Sequence, residues 1–126
     1  MDELVDKLPG DWVLLGGSLL SYLNISDRQT YDIDLAPKGK ISNDITLAAM
    51  EIASKKGMPP EAINFSVAYF LKKQRSWESE LILIRKTKSS RLFRPTKKLF
   101  RKLKEARGTE TDIRDIELYE SGVEDR

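Results

Sequence analysis

Val13 to Pro37 reads VLLGGSLLSYLNISDRQTYDIDLAP, and this stretch decides the fold. The apolar run from Trp12 to Leu15 predicts a buried strand. Gly16-Gly17-Ser18 follows at once, then Leu19 to Leu23, a run suited to a helix. A polar turn, Asn24 to Gln29, leads into Tyr31-Asp32-Ile33-Asp34-Leu35, where apolar and acidic residues alternate. Period two puts Tyr31, Ile33 and Leu35 on one strand face and Asp32 and Asp34 on the other.

Two carboxylates on one face of a strand stand roughly 6–7 Å apart at their α-carbons, from a rise of about 3.3 Å per residue. Like charges at that spacing repel and titrate together unless a cation lies between them. A hard divalent cation with oxygen ligands, Mg2+ or Mn2+, suits such a pair. The Gly16-Gly17-Ser18 turn lets backbone approach a ligand without a Cβ in the way, and amides at a helix start favour phosphate. Together the two halves predict a holder for a metal-bound triphosphate. Each half has a plainer explanation: a glycine turn between strand and helix, and the solvated face of an edge strand.

Strand, Gly-Gly-Ser, helix and Asp-x-Asp in this order resemble the minimal nucleotidyltransferase fold. That fold is shared by polymerase beta-type enzymes, kanamycin-type nucleotidyltransferases and several bacterial toxins. Leu15-Gly16-Gly17-Ser18 with Arg28-Gln29-Thr30-Tyr31-Asp32-Ile33-Asp34-Leu35 is similar to the AbiEii-like group and related small nucleotidyltransferase-like proteins. Leu103 to Arg107, followed by Thr111-Asp112-Ile113-Arg114-Asp115-Ile116, resembles the family's lysine-bearing helix and its Asp-x-x-Asp-Ile segment. The middle of the chain is matched only by its order of elements.

The resemblance implies an α/β (α+β) domain with a small mixed sheet flanked by helices. It implies Asp32 and Asp34 as metal ligands, and Gly16, Gly17, Ser18 and Arg28 as nucleotide-binding residues. Lys104 matches the family lysine. A third carboxylate is expected on a following strand, for which Glu80 is the candidate and Glu78 the next. The activity implied is transfer of an NMP from an NTP to a hydroxyl on tRNA or protein, in a toxin–antitoxin setting for some relatives. A homodimer, a helical partner or an antitoxin would complete the cleft. The alternatives are an inactive nucleotide- or RNA-binding protein and a partner subunit on the same fold.

A chain of 126 residues with 40% apolar content predicts one domain with one modest core. Cysteine and histidine are both absent. A disulfide framework, a Ser-His-Asp triad and a cysteine or histidine metal site are therefore excluded. The acidic start Met1-Asp2-Glu3-Leu4 lacks the pattern of a signal peptide, and no apolar run reaches the ~20 residues of a membrane span. The expectation is a cytoplasmic protein with no membrane contact.

The net charge of +2 conceals a strong asymmetry. Between Arg85 and Arg107 the residues are rich in lysine and arginine, with Glu105 the single acid, and from Glu110 the chain turns acidic. Such a block predicts a polyanion-binding surface, tRNA in the first instance, or a helix face neutralised by the acidic tail folding back.

Further elements follow from local pattern. Asp2 to Leu8 predicts a short lead-in helix ended by Pro9-Gly10, and Trp12 is expected in the core. Ser42 caps a predicted helix over Asn43 to Lys56, with Ile45, Ala48, Ala49 and Ile52 as its apolar stripe. Ile63 to Val67 is read as a strand, although Val67, Phe70 and Leu71 also fit a helix face. Tyr69 and Phe70 are expected in the core, and Trp77 is expected as the exposed aromatic of a Lys72–Glu78 loop. Leu81 to Ile84 and Leu92-Phe93 are predicted strands. A helix from Pro95-Thr96 to Ala106 should turn Leu99, Phe100, Leu103 and Ala106 inward, with Lys98, Arg101 and Lys102 outward and Lys104 reaching over its rim toward the site. A last helix docks through Ile113, Ile116 and Tyr119, with Asp115 facing Arg107 or Arg28 and the chain fraying from Ser121.

Overall fold

The computed structural model describes residues 8–25, 33–39, 43–55, 57, 63–64, 67–105 and 110–124. The predicted lead-in helix over 2–8, the Ser42 cap, Arg28 and Asp32 lie outside the described residues, apart from Leu8, which is fully buried.

Strand β1 (Gly10–Leu15) runs directly into helix α1 (Gly16–Tyr22), followed by β2 (Ile33–Pro37), α2 (Asn43–Lys55), β3 (Ile63–Asn64) and α3 (Val67–Lys72). A 3-10 turn (Trp77–Glu80) then leads to β4 (Leu81–Lys86), β5 (Ser90–Pro95), α4 (Lys97–Glu105) and α5 (Glu110–Gly122). The strands form one mixed sheet in the order β3-β2-β1-β5-β4, the outermost β3 being only two residues long. β1 pairs antiparallel with β2 and parallel with β5; β2–β3 is parallel and β4–β5 antiparallel. This is a small mixed α+β architecture with the sheet flanked by helices.

β1 is the buried centre of the sheet, which explains its continuous apolar run: both of its faces are covered. Trp12 and Leu14 join Leu19, Leu20, Ala49, Ile52, Phe100, Ile116 and Tyr119 in the larger core cluster. Val13 and Leu15 face the other way, into a smaller cluster with Ala36, Leu71 and Leu99, against which Trp77 and Leu103 pack. Helices α1, α2 and α5 thus cover one face, and α3 with the 3-10 turn the other. α4 contributes Phe100 to the first cluster and Leu99 to the second.

α1 closes in a Schellman arrangement. Asn24 takes the left-handed conformation (φ 57°), Ile25 N–H donates to Leu20 O (3.0 Å) and Asn24 N–H to Ser21 O (3.1 Å). The β4–β5 hairpin is closed by Thr87, whose N–H donates to Ser90 O (2.8 Å) and whose hydroxyl accepts from Ser90 N–H (3.1 Å). Among the described residues no helix is long and apolar enough to cross a membrane.

Several expectations are corrected. Val67 belongs to α3 and not to a strand, because burial of Ala68 and Leu71 three residues apart favours the helical period over alternation. That helix leaves Tyr69 and Phe70, expected in the core, 62% and 54% exposed. Trp77, expected outside, packs against the smaller cluster from a 3-10 turn and not from a loop. Ile113, expected to dock, is 55% exposed because the inward face of α5 is centred on Asp115, Ile116 and Tyr119. The last helix also continues past Ser121 to Gly122.

Candidate functional site

The register of β1 with β2 places Asp34 opposite Leu15, the last strand residue before the glycine turn. Residues paired across an antiparallel ladder share a face. Asp34 therefore lies on the side of Leu15 and the smaller cluster, part-buried at the start of β2. Gly16 takes φ +64°, the left-handed region, to turn the chain from strand into helix without a loop.

A Cβ at Gly16 would lie 2.3 Å from Asp34 Oδ2 and 3.3 Å from its Cγ. The carboxylate occupies the space a side chain would need, so glycine here serves both backbone conformation and close approach. The two halves of the signature, far apart in sequence, meet at this point.

Ser18 fixes the junction. Its buried hydroxyl donates to Leu15 O (2.7 Å) and accepts from Asp34 N–H (3.1 Å). It stitches the end of β1 to the start of β2 and sets where the Asp34 carboxylate stands. That is a positioning role, since the hydroxyl is 3% exposed at the residue level and engaged on both sides.

Glu80 is not brought to this point. Thr96 Oγ1 donates to its Oε2 (2.6 Å) and Thr96 N–H to its carbonyl (2.9 Å), which ties the 3-10 turn to the start of α4. Leu81 pairs with Pro95 on β5, and β5 pairs with β1, which pairs with β2 at Asp34. Glu80 is thus three strands along from Asp34, about 14 Å at ~4.8 Å per strand. Glu78, its alternate, is exposed. The backbone beside Asp34 on the next strand is that of Asn64, an amide residue.

Lys104 does not reach over the helix rim. It is buried, 3.0 Å from Asp115 Oδ2, with side-chain exposures of 8% and 2%. Its ammonium also stands 5.7 Å from the Phe100 ring centre. The expected Asp115 partners, Arg107 and Arg28, lie outside the described residues.

Part of the basic block is answered from within the fold. Arg91 grips Asp11 with Nε at 2.8 Å from Oδ1 and a second bond from Nη2. The guanidinium holds the Asp11 carboxyl below its usual range. Arg101 donates to both carboxylate oxygens of Glu120 (2.6 and 2.9 Å) and to Glu105 (3.2 Å). Its hydrogen bonds lower the Glu120 pKa, while the two acids raise that of Arg101. Buried Arg94 donates to Tyr119 Oη (3.0 Å) and Glu124 O (2.8 Å). The acidic tail does fold back: α5 lies along α4 and takes up Arg101 and Lys104. Sequence reasoning weighed this outcome but had no means of assigning the pairs.

A divalent cation fits the donor chemistry of Asp34 with Asp32, both hard oxygen ligands. Among the described residues no three carboxylates converge. Compared with known proteins, the chain matches no family model, no curated protein and no solved structure.

Proposed function

We propose that the chain is a metal-dependent nucleotidyltransferase, moving an NMP from an NTP to a hydroxyl on tRNA or protein. The carrying observation is the packing of the Asp34 carboxylate onto Gly16 at the start of α1. A helix start attracts phosphate, yet a carboxylate standing at the same place repels it. A cation between the two would resolve the conflict, and Asp34 with Asp32 has the ligand chemistry for one.

Asp32 and Asp34 would hold Mg2+ or Mn2+, which when bound neutralises phosphate charge and supports loss of pyrophosphate. The backbone of Gly16 and Gly17 receives the outer phosphates, and Arg28 adds a positive charge. Ser18 holds the Asp34 carboxylate in place. The acceptor oxygen attacks the α-phosphorus in line and forms the new P–O bond. The bond to the β-phosphate oxygen breaks, pyrophosphate leaves with that electron pair, and the acceptor proton passes to a carboxylate. In this reading Lys104 maintains the α4–α5 packing, and does not touch phosphate.

A second reading, an inactive nucleotide- or RNA-binding protein or partner subunit, is favoured by the distance of Glu80 from Asp34. One experiment separates them. The protein is incubated with Mg2+ or Mn2+, each labelled NTP in turn, and a mixture of tRNA and protein acceptors. Label on a macromolecule with the native chain, absent with Asp32→Ala plus Asp34→Ala, supports transfer. A folded protein that labels nothing sinks the active-enzyme reading for this chain alone.

A further inference from the structure

Two cations of the basic block that the fold does not use converge with a residue from outside it. Lys98 and Lys102 are one turn apart on the outer face of α4. Arg75 and Ser76, at the start of the 3-10 turn, face them across a cleft of about 210 Å3, with Glu80 and Leu99 completing its lining. Among the described residues, Arg75, Lys98 and Lys102 have no carboxylate in ion-pair range, in contrast to Arg91, Arg101 and Lys104. Glu80 is the one acid in the cleft, and its carboxylate is engaged by Thr96. Three cations against one carboxylate leave the cleft with an excess of two positive charges.

Immediately before Arg75 in the chain, α3 exposes an aromatic pair. Tyr69 and Phe70 meet edge to face, centroids 5.5 Å apart at 82°, and Lys73 stands 4.1 Å from the centre of the Tyr69 ring. Four residues separate Phe70 from Arg75, two of them still in α3. Exposed aromatic faces and an unneutralised basic cleft are the combination that takes up a single strand, with bases stacking and phosphates held by charge. A second polar concavity, at the β4–β5 turn, also holds two lysines, Lys86 and Lys88, but its arginine is bound to Asp11 and its lining contains no aromatic residue.

We infer that α3 and the cleft of Arg75, Lys98 and Lys102 bind a single-stranded nucleic acid, the backbone lying in the cleft and a base on Tyr69 or Phe70. The site opens at the end of the sheet where Gly16 and Asp34 also stand, three strands along. The inference does not depend on nucleotidyl transfer, since binding needs neither NTP nor metal.

The test is fluorescence anisotropy of a labelled uridine dodecamer with the whole chain, in EDTA, between about 0.05 and 0.2 M salt. Three phosphate contacts on a single strand give a log–log slope near −2, or about twentyfold weaker binding over that range. Lys98→Gln with Lys102→Gln reduces this to about threefold, and Tyr69→Ala or Phe70→Ala weakens binding roughly tenfold at fixed salt. All four side chains are exposed or line the open cleft, so circular dichroism should show unchanged folding. A deoxythymidine dodecamer bound as well as the RNA also supports the inference, and shows that the 2′-hydroxyl is not read. Absence of binding by the folded protein overturns it. So does a salt slope unchanged in the lysine variant, or equal binding of duplex and polyphosphate with no loss in the aromatic variants.

Discussion

Replacing Lys104 by methionine tests whether this buried lysine serves the fold or the proposed chemistry. The ammonium is 3.0 Å from Asp115 Oδ2, and the two side chains are 8% and 2% exposed. Methionine keeps most of the volume and removes the charge that stands 3.0 Å from the buried Asp115 carboxylate. Breaking one side of such a pair costs about 3–5 kcal/mol, against a typical domain stability of about 5–15 kcal/mol. Removing both charges, Lys104→Met with Asp115→Leu, should return most of that loss, because two apolar side chains need no desolvation of ions. Urea unfolding of the four proteins gives the coupling energy directly. At a urea m-value of about 2 kcal/mol/M, the single variant's midpoint falls by roughly 2 M and the double variant's by much less. Losses in the double equal to the sum of the two singles would refute the account of a coupled buried pair. A single-variant loss below about 1 kcal/mol would refute the burial penalty itself. If the native chain shows the proposed nucleotidyl transfer and the stable double variant keeps it, Lys104 has no part in that chemistry.

Three further outcomes are expected. Gly16→Ala should cost about 2 kcal/mol, from the left-handed backbone (φ +64°) and the contact with Asp34. Asp34→Gly in that background should recover only the contact, as thermal melting would show. Ser18→Ala removes the hydroxyl joining Leu15 O to Asp34 N–H, and should lower stability by about 1–2 kcal/mol in the same assay. The Asp11 and Glu120 carboxyls are both held below their usual range by arginine hydrogen bonds. The folded state therefore binds fewer protons than the unfolded one near pH 4, so this contribution is present above that range and lost as the pH falls through the lowered values. Denaturation across pH 2–7 should show a shallower acid limb for Glu120→Gln, with the native limb flattening in high salt.

Periodicity reached the sheet centre and missed the surface. The Trp12–Leu15 run could only be covered on both faces, and β1 is indeed the middle strand. Between Ile63 and Leu71 the residues satisfied two periods at once, and the choice fell to whichever side chains found partners. Ala68 and Leu71 found Val13, Ala36 and Leu99, which are distant in sequence, so Tyr69 and Phe70 were turned to solvent. Ile113 was misjudged for a related reason: a polar residue, Asp115, took an inward position because Lys104 stood opposite it.

The sequence by itself determined the order of strand, glycine turn, helix and acidic strand. It also excluded thiol and imidazole chemistry, and determined the crowding of positive charge before the acidic tail. These are properties of composition and local period, which need no neighbour to be read. Only the tertiary structure decided that Asp34 rests on Gly16, that Glu80 is three strands away, and which cations are paired. Each depends on strand order and register across the sheet, or on one helix meeting another, where a shift of a single residue would exchange the partners.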